Sequence, residues 1–347
     1  MSSVNTSWRR WSRNGGAVVA AVCAAAVMGL SGCAGQTSAA AAPASGPMGT
    51  LQVVTEPQQG LGPVYSLISG ARSSIDMTMY ELTDTTFEND LAAAAARGVR
   101  VRVVLDTNME NRSNQPAYSF LSAHGAHVVW AATGYAATHQ KTITVDDAVS
   151  AIMSLNLTPR YYATTRDVAV LDRDPADVAA IEKVFDADYS HSPITPGDGD
   201  NLVWSPTDSE PALLALINGA RRSLAVENEE MSSSPIVRAL EAAARRGVKV
   251  TVTMTDSGTY TREFTALSDA GVQVRTYSPD ASLYIHAKVV LADYGTSAAK
   301  LFAGSQNFTT ASLRRNRELG ITTNQSGALD AVDSTLVSDF DHATAWS

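Results

Sequence analysis

The chain has 347 residues, of which 45% are hydrophobic and 18% charged, a composition typical of folded globular proteins and too apolar for a disordered chain. At about 150 residues per domain, this length predicts two domains. The net charge is −9, and since the first 33 residues hold three arginines and no acid, the rest carries 23 basic and 35 acidic residues, a net charge of −12. A protein that acidic has no general attraction to phosphate backbones, which argues against indiscriminate nucleic-acid binding.

The first residues predict an export signal. Residues 1–16 carry the three arginines, and the apolar run over 17–28 is shorter than the about 20 residues that a membrane-spanning helix needs. Small residues then lead to Cys33, so this segment resembles a bacterial lipoprotein signal. The resemblance implies a signal peptide over 1–32, a lipid anchor on Cys33 and a flexible tether over 33–50. We expect the protein at the outer face of the cell membrane, and secretion is the alternative.

The rest of the sequence contains one unit twice. Residues 69–73 (SGARS) recur as 218–222 (NGARR), and residues 95–101 (AARGVRV) recur as 244–250 (ARRGVKV), both at an offset of 149. Because the order of the segments is kept, they indicate a duplicated domain rather than low-complexity sequence.

Each copy alternates strands and helices, which predicts an α/β sandwich with helices on both faces of the sheet. The copies are assigned to residues 51–190 and 201–347, and the Pro- and Gly-rich residues 191–200 to a linker. The elements predicted in the first copy are helices over 61–69, 87–97, 116–124 and 174–189, and strands over 74–79, 99–105, 127–130, 142–145 and 148–155.

Matched polar motifs stand at equivalent points of the two copies. Each copy contains a His-x-Lys-x4-Asp string, then a Ser-x-Asn pair and, 13 residues after the serine, an acid. The set is His139, Lys141, Asp146, Ser154, Asn156 and Asp167 in the first copy, and His286, Lys288, Asp293, Ser305, Asn307 and Glu318 in the second. Because side chains two apart on a strand share a face, each His and Lys pair is expected to point into one site.

This set resembles the phospholipase D superfamily of His-x-Lys-x4-Asp phosphodiesterases, over nearly all of residues 61–347. The resemblance implies two phospholipase D-like α/β domains related by a pseudo-twofold axis, with the active site at their interface. Gly304 begins a string that fits the second family motif fully. The first copy has Met153 at that position, where the family often has glycine, and we expect Met153 to crowd the phosphate pocket or to narrow the substrate range.

The chemistry of a phosphodiester explains why the motif is needed twice. A neutral imidazole can attack phosphorus and form a phosphohistidine, while a protonated imidazole on the other side donates to the leaving alcohol and then activates water. Lysine and asparagine donate to the non-bridging oxygens, whose charge grows in the transition state. This scheme needs no metal. The cysteines end at Cys33, and the six histidines show no metal-ligand spacing, so we predict neither a metal nor a cofactor.

The family resemblance also implies individual roles. It makes His139 the nucleophile and His286 the acid/base, an order that the near-symmetric copies leave open. The residues expected at the phosphate are Lys141, Lys288, Asn156 and Asn307, assisted by Ser154 and Ser305. Asp167 and Glu318 are expected to orient the imidazoles, with a surface role as the alternative, and Asp146 and Asp293 to close the turn after the strand.

Other polar residues are interpreted without a functional role. The four remaining histidines have no partner in the other copy: His124, His127, His191 and His342. The basic run over 314–317 is interpreted as a solvated surface.

Three functions fit this sequence. The first is a phospholipase D that cleaves the head-group alcohol from a glycerophospholipid at a membrane surface and leaves phosphatidic acid; transfer to an alcohol, as in cardiolipin synthases, is its variant. The second is a nuclease, which the acidic charge disfavours. The third is an envelope protein with a relic site, which the retention of both complete motifs disfavours. We expect a monomer, since the duplicated chain completes its own site.

Overall fold

The computed structural model describes residues 51–346. The predicted signal peptide over 1–32, the lipidated Cys33 and the tether over 33–50 lie outside the described residues. Within the described range, no helix combines the length and the apolar character that crossing a bilayer requires.

The first half of the described chain forms a mixed sheet with helices. Its strands are β1 (Gln52–Glu56), β2 (Ser74–Met79), β3 (Arg100–Leu105), β4 (His127–Trp130), β5 (Thr142–Val145), β6 (Val149–Met153) and β7 (Thr165–Asp172). Its helices are α1 (Gly62–Gly70), α2 (Thr85–Ala96), α3 (Asn111–Ala123), α4 (Pro159–Tyr162) and α5 (Pro175–Tyr189). The strand order is β1-β7-β6-β5-β2-β3-β4, in which β2, β3 and β4 are parallel and the other pairs antiparallel.

The second half repeats this topology. Its strands are β8 (Leu202–Ser205), β9 (Ser223–Glu227), β10 (Lys249–Thr255), β11 (Gln273–Tyr277), β12 (Tyr284–Ile285), β13 (Val289–Ala292), β14 (Lys300–Gly304), β15 (Glu318–Thr323) and β16 (Thr344–Ala345). Its helices are α6 (Ser209–Gly219), α7 (Ser234–Arg245), α8 (Thr261–Asp269), α9 (Thr310–Arg314) and α10 (Ser326–His342). The order β8-β15-β14-β13-β9-β10-β11 matches the first sheet strand for strand, with β16 added beyond β11, so the predicted duplicated α/β fold is confirmed.

Most of the apolar core of the described residues lies in three clusters. Helices α1 to α3 bury residues such as Ile68 and Phe87 against one face of the first sheet, and α6 to α8 bury residues such as Leu240 and Phe264 against the second sheet. A third cluster, which includes Ile152 and Leu301, joins the inner faces of both sheets to α5 and α10. The two halves therefore share a hydrophobic core, whose burial holds the interface between them together.

The repeated Arg-Gly dipeptides end corresponding helices. Gly98 follows α2 with φ +91° and Gly247 follows α7 with φ +88°, a backbone conformation that glycine adopts without the Cβ clash of other residues. The preceding arginines turn back to the previous helix, where Arg97 and Arg246 each reach a carbonyl oxygen of its last turn at 3.4 Å. The sequence repeat thus encodes the same helix–helix junction twice.

Helix α3 is longer than its predicted range of 116–124. It begins at Asn111, so Pro116 lies inside the helix rather than in its first turn. The extra turn is supported by Asp106, whose carboxylate accepts the backbone N–H groups of Met109 and Glu110 at 2.7 and 2.9 Å. The sequence patterns also do not predict β12 or β16, because a strand of two residues is too short to show alternation.

Two buried arginine–aspartate pairs connect the halves. Arg166 of β7 donates to Asp339 of α10, with Nη2 2.9 Å from Oδ1, and Arg317 donates to Asp188 of α5 at 2.9 Å. In each pair the arginine comes from one copy and the aspartate from the other. The expectation of a solvated run over 314–317 is wrong for Arg317, which is fully buried, because this cross-copy ion pair draws it inward.

Replacing Arg166 by methionine is expected to lower the free energy of unfolding by about 3–5 kcal/mol, since it leaves Asp339 buried without its counter-ion. Urea unfolding followed by circular dichroism measures this change. The matched control is Arg245→Met, which removes a 63% exposed arginine paired with Glu241 and should change stability by less than about 0.5 kcal/mol. Equal stability losses in the two variants would contradict the structural role of Arg166.

Candidate active site

The two motif histidines lie at the junction of the copies because each is held by the other copy. Strand β12, just before His286, pairs in parallel with the start of β7, and the backbone N–H of His286 donates to the Arg166 carbonyl at 3.0 Å. Reciprocally, Thr138 forms a bridge with Arg317, and the backbone N–H of His139 donates to the Arg317 carbonyl at 2.9 Å. Both histidines therefore precede the central strands β13 and β5 in extended chain, rather than lying within a strand.

The orienting acids are exchanged between the copies. The Nδ1 atom of His139 lies 2.9 Å from Oε2 of Glu318, and Nδ1 of His286 lies 2.7 Å from Oδ1 of Asp167. Asp167 and Glu318 are buried, so they are not surface charges. A carboxylate at Nδ1 fixes the tautomer and leaves Nε2 available for chemistry. Each imidazole–carboxylate pair thus needs both halves of the chain. The motif spacing is the same in both copies, so it does not predict this exchange.

The charge environment of His139 favours its neutral form. Burial lowers its pKa, and the nearby positive charge of Lys141 lowers it further, against the opposing effect of Glu318. Burial raises the pKa of Glu318, but its hydrogen-bonded interaction with His139 and the positive charge of Lys141 lower that pKa below its ordinary value. A neutral imidazole with its Nδ1–H held by an ionised carboxylate has a free electron pair on Nε2, which is the state a nucleophile requires.

Both motif lysines are fully buried between the copies. Lys141 Nζ donates to the carbonyl oxygen of His139 at 2.6 Å, and Lys288 Nζ donates to the carbonyl oxygen of His286. Burial and the repulsion of Lys288 lower the pKa of Lys141 from 10.5 to about 7. The two lysines therefore repel each other, while the nearby carboxylates of Glu318, Glu229 and Asp167 oppose this effect on Lys141.

The lowered pKa predicts that phosphate binding takes up a proton. A bound anion stabilises charged Lys141 and raises its pKa. Phosphate binding above about pH 7, where the empty site has largely lost this proton, therefore takes a proton up from the buffer. Titration calorimetry with inorganic phosphate at pH 8, in two buffers of different ionisation enthalpy, measures this uptake. We expect the uptake to disappear in Lys141→Met, and equal heats in both buffers with the native protein would refute the expectation.

The motif asparagines carry polar atoms without protein partners. The Oδ1 atoms of Asn156 and Asn307 are buried and accept no hydrogen bond, and Nδ2 of Asn307 donates to Glu229 Oε2 at 3.3 Å. These oxygens can only accept hydrogen bonds, so a phosphate anion would bind the Nδ2 groups of the two side chains rather than fill the unpaired Oδ1 positions.

The motif serines are placed differently from expectation. Ser154 donates to Oδ1 of Asp167 at 2.6 Å, and Ser305 donates to the carbonyl oxygen of Leu319 at 3.3 Å. Both serines are fully buried. Instead of facing the phosphate, they brace the strands that carry the orienting acids, because their hydroxyls also accept the backbone N–H groups of Val168 and Leu319.

The last residue of each motif string lies in the hairpin turn. Asp146 has φ +55° and its carboxylate accepts the backbone N–H groups of residues 72–74. Asp293 has φ +52° and binds residues 221–223 in the same way. These bonds fix the repeated SGARS and NGARR segments to the central hairpin, which places both aspartates away from the histidines.

Met153 is enclosed in the core of the first half and is fully buried there. At the matched position, a Cβ on Gly304 would lie 2.4 Å from the Cα of Gly320 and 2.5 Å from Oε1 of Gln306. Glycine is needed in the second copy because buried Gln306 folds over it, whereas the first copy has Leu155 at that place. The methionine therefore reflects core packing rather than crowding of the phosphate pocket.

Two site residues escape the motif analysis. Glu229 Oε2 lies 3.0 Å from Lys288 Nζ and 3.3 Å from His286 Nε2. At the matching position of the first copy, 149 residues earlier, the Tyr80 ring packs edge-on against His139, with 4.6 Å between ring centroids. In the sequence, these two positions are related only by the repeat offset of 149. Because their residue types differ, a search for matching motifs does not find them.

The four unmatched histidines lie at the surface, away from this cluster: His124, His127, His191 and His342. The described residues also contain a group of three carboxylates that approach within 4.8 Å, namely Asp76, Asp147 and Glu182. Asp76 already accepts a hydrogen bond from Arg102 at 2.7 Å, so the guanidinium group supplies positive charge to these carboxylates.

Comparisons with known proteins bear on the family and the fold. The family model described as "Cardiolipin synthase, PLD-like domain" matches residues 64–189 and again residues 213–341. No curated protein gives a significant sequence match.

Two solved structures share this fold at low identity, and a third is similar over part of the chain. Phosphatidylserine synthase of Haemophilus influenzae Rd KW20 is 11% identical with a TM-score of 0.64, over 85% of this chain and 87% of that one. Polyphosphate kinase of Porphyromonas gingivalis is 14% identical with a TM-score of 0.64, over 83% of this chain and 50% of the kinase, so this chain spans half the kinase's length. Nuc of Salmonella typhimurium, a phospholipase D family member, is 21% identical with a TM-score of 0.38, over 42% of this chain and 95% of that one.

Proposed function

The chain belongs to the phospholipase D superfamily, as a protein with two PLD-like domains, and from this premise we propose that it hydrolyses the head-group phosphodiester of a glycerophospholipid to phosphatidic acid and an alcohol. The observation that carries the proposal is the reciprocal pairing of His139 with Glu318 and of His286 with Asp167, beside two buried lysines. Two oriented imidazoles and fixed cationic donors are what an in-line phosphoryl displacement needs.

In the first step, Nε2 of neutral His139 attacks phosphorus. The bond to the head-group oxygen breaks as Nε2–H of His286 gives that oxygen its proton, so the products are the free alcohol and a phosphatidyl–histidine intermediate. Lys141, Lys288, Asn156 and Asn307 donate to the non-bridging oxygens, and each such donor contributes about 10²–10³ in rate.

In the second step, His286 acts as a base. Its Nε2, now without a proton, accepts one from water as the water oxygen attacks phosphorus. The bond to His139 breaks, phosphatidic acid leaves, and both imidazoles return to their starting states. Asp167 and Glu318 hold the rings in place through both steps by accepting from Nδ1–H.

A lipid is favoured over nucleic acid by the charge and by the expected location. The chain after residue 33 carries a net charge of −12, which disfavours long polyanions. A lipidated Cys33 holds the site within a tether's length of phospholipid head groups, which raises the effective substrate concentration.

The anchor is tested on its own. Expressed in a bacterium that processes lipoproteins, Cys33→Ala is expected to move the protein from the membrane fraction to the soluble fraction, because it removes the residue that would be acylated. Immunoblots of the fractions measure this shift, with Cys23→Ala as the matched control. Membrane retention of the Cys33 variant would refute lipidation.

The activity is tested with the full-length protein, purified in detergent with a chelator present. Phosphatidylcholine vesicles, single-stranded DNA and double-stranded DNA are offered separately, and a further vesicle sample contains excess glycerol. Choline release with phosphatidic acid as product supports the proposal. DNA cleavage would point to the nuclease, phosphatidylglycerol as the main product to a transferase, and silence in every assay to a relic site.

A further inference from the structure

One carboxylate stands among the phosphate-binding groups of the second copy. Glu229 Oε2 lies 3.0 Å from Lys288 Nζ, 3.3 Å from His286 Nε2 and 3.3 Å from Asn307 Nδ2. These three nitrogens belong to the groups that bind or protonate the phosphodiester in the proposed reaction. They converge on a single anionic oxygen, which is the coordination expected for a non-bridging phosphate oxygen.

Glu229 is a true anion in this position. Burial alone raises its pKa, but the positive charges of His286 and Lys288 lower the pKa well below its ordinary value. A second anion at Lys288 would face strong repulsion from this carboxylate at close range in a poorly hydrated site. Phosphate and the Glu229 carboxylate therefore compete for the same donors.

The first copy has no such competitor. Tyr80, at the matching position, turns its ring face toward Lys141, with Nζ 4.7 Å from the ring centroid. A ring face can stabilise an ammonium group without occupying its hydrogen-bonding position. Lys141 thus keeps donor capacity for an incoming phosphate, whereas Lys288 already has an anionic partner.

The backbone beside Glu229 is held by its buried neighbour. The neighbouring Asn228 is fully buried, accepts from the backbone N–H groups of Phe308 and Glu230 at 3.1 Å, and donates to the Gln306 carbonyl at 3.2 Å. These bonds fix the backbone beside Glu229. We therefore expect a ligand to displace the carboxylate by rotating its side chain rather than by moving β9.

Resting on the proposed function, we propose that Glu229 is a specificity-determining residue that occupies the phosphate position of the second half-site and admits only ligands able to displace it. A phosphodiester lipid gains further contacts from its head group and glycerol, and these offset the displacement of the carboxylate. A small free anion such as inorganic phosphate gains none of them. The carboxylate thus discriminates against free phosphate.

The test measures inorganic phosphate binding to the full-length protein by titration calorimetry at pH 8. We expect Glu229→Gln to lower the dissociation constant for phosphate at least about tenfold, since it removes a competing charge from the donors. The matched control is Glu230→Gln, because burial and Glu229 raise the pKa of Glu230 to about 7 and it is mostly ionised at pH 8. We expect that control to change the constant less than about threefold.

If phosphate binds equally more tightly to both variants, the cause is the general loss of negative charge and the inference is contradicted. Unchanged or weaker phosphate binding in Glu229→Gln would also overturn it. Should that variant fail to fold, crystals of the native protein with bound tungstate decide the matter. We expect tungstate within hydrogen-bond distance of Lys288 and Asn307 with the carboxylate rotated away, and tungstate bound beside an unmoved Glu229 would contradict displacement. Neither readout requires lipid cleavage. The role of Glu229 can therefore be confirmed in a protein that does not cleave lipids, and it can be refuted in a protein that is an active phospholipase D.

Discussion

Replacing His139 or His286 by alanine is expected to lower phosphatidylcholine hydrolysis by at least about 10³, since each variant removes a group that makes or breaks a bond to the phosphate or its leaving oxygen. Choline release from vesicles measures the loss. The matched controls are His124→Ala and His342→Ala, which change exposed histidines outside the cluster and should keep the native rate within about twofold.

The two variants are expected to differ with a substrate whose leaving group needs no proton. With a p-nitrophenyl phosphodiester, His286→Ala should release one equivalent of p-nitrophenolate quickly and then stall, because water is no longer activated. The stalled protein should carry the phosphoryl group on His139, which mass spectrometry of the intact chain detects. His139→Ala should give no burst. A burst in His139→Ala and none in His286→Ala would reverse the proposed roles.

The sequence predicts much of this site because duplication doubles each signal. A single His-x-Lys-x4-Asp string occurs by accident, but two strings with equal downstream spacing indicate one repeated strand pattern. The alternation of helices and strands predicts the two sheets, and the glycines after α2 and α7 mark where helices end. These features depend on local sequence, which is why pattern reading finds them.

Features that depend on contact between the copies are not predictable in this way. The motif spacing is the same whether Asp167 serves His139 or His286, and the exchange follows from the pairing of β12 with β7. Arg317 reads as a surface charge because its partner, Asp188, lies 129 residues away. Glu229 is passed over because it interrupts the symmetry that makes the other residues recognisable.

The exchange of acids predicts a crossed pattern of defects. Asp167→Asn should lower lipid hydrolysis by about 10²–10⁴, since an amide at Nδ1 of His286 favours the wrong tautomer, and Glu318→Gln should do the same through His139. Asp147→Asn, in an exposed turn, and Glu241→Gln, on the surface of α7, are the matched controls and should keep the native rate within about twofold.

The p-nitrophenyl substrate separates exchanged pairs from pairs within one copy. If Asp167 orients His286, Asp167→Asn should resemble His286→Ala, with a fast burst and a slow second phase. Glu318→Gln should resemble His139→Ala, with a slow burst or none. The double variant Asp167→Asn with His286→Ala should be no slower than His286→Ala alone, because the two residues act as one unit. Pairing within each copy requires the opposite assignment of bursts, so a single stopped-flow series decides whether the two halves must assemble before either imidazole works.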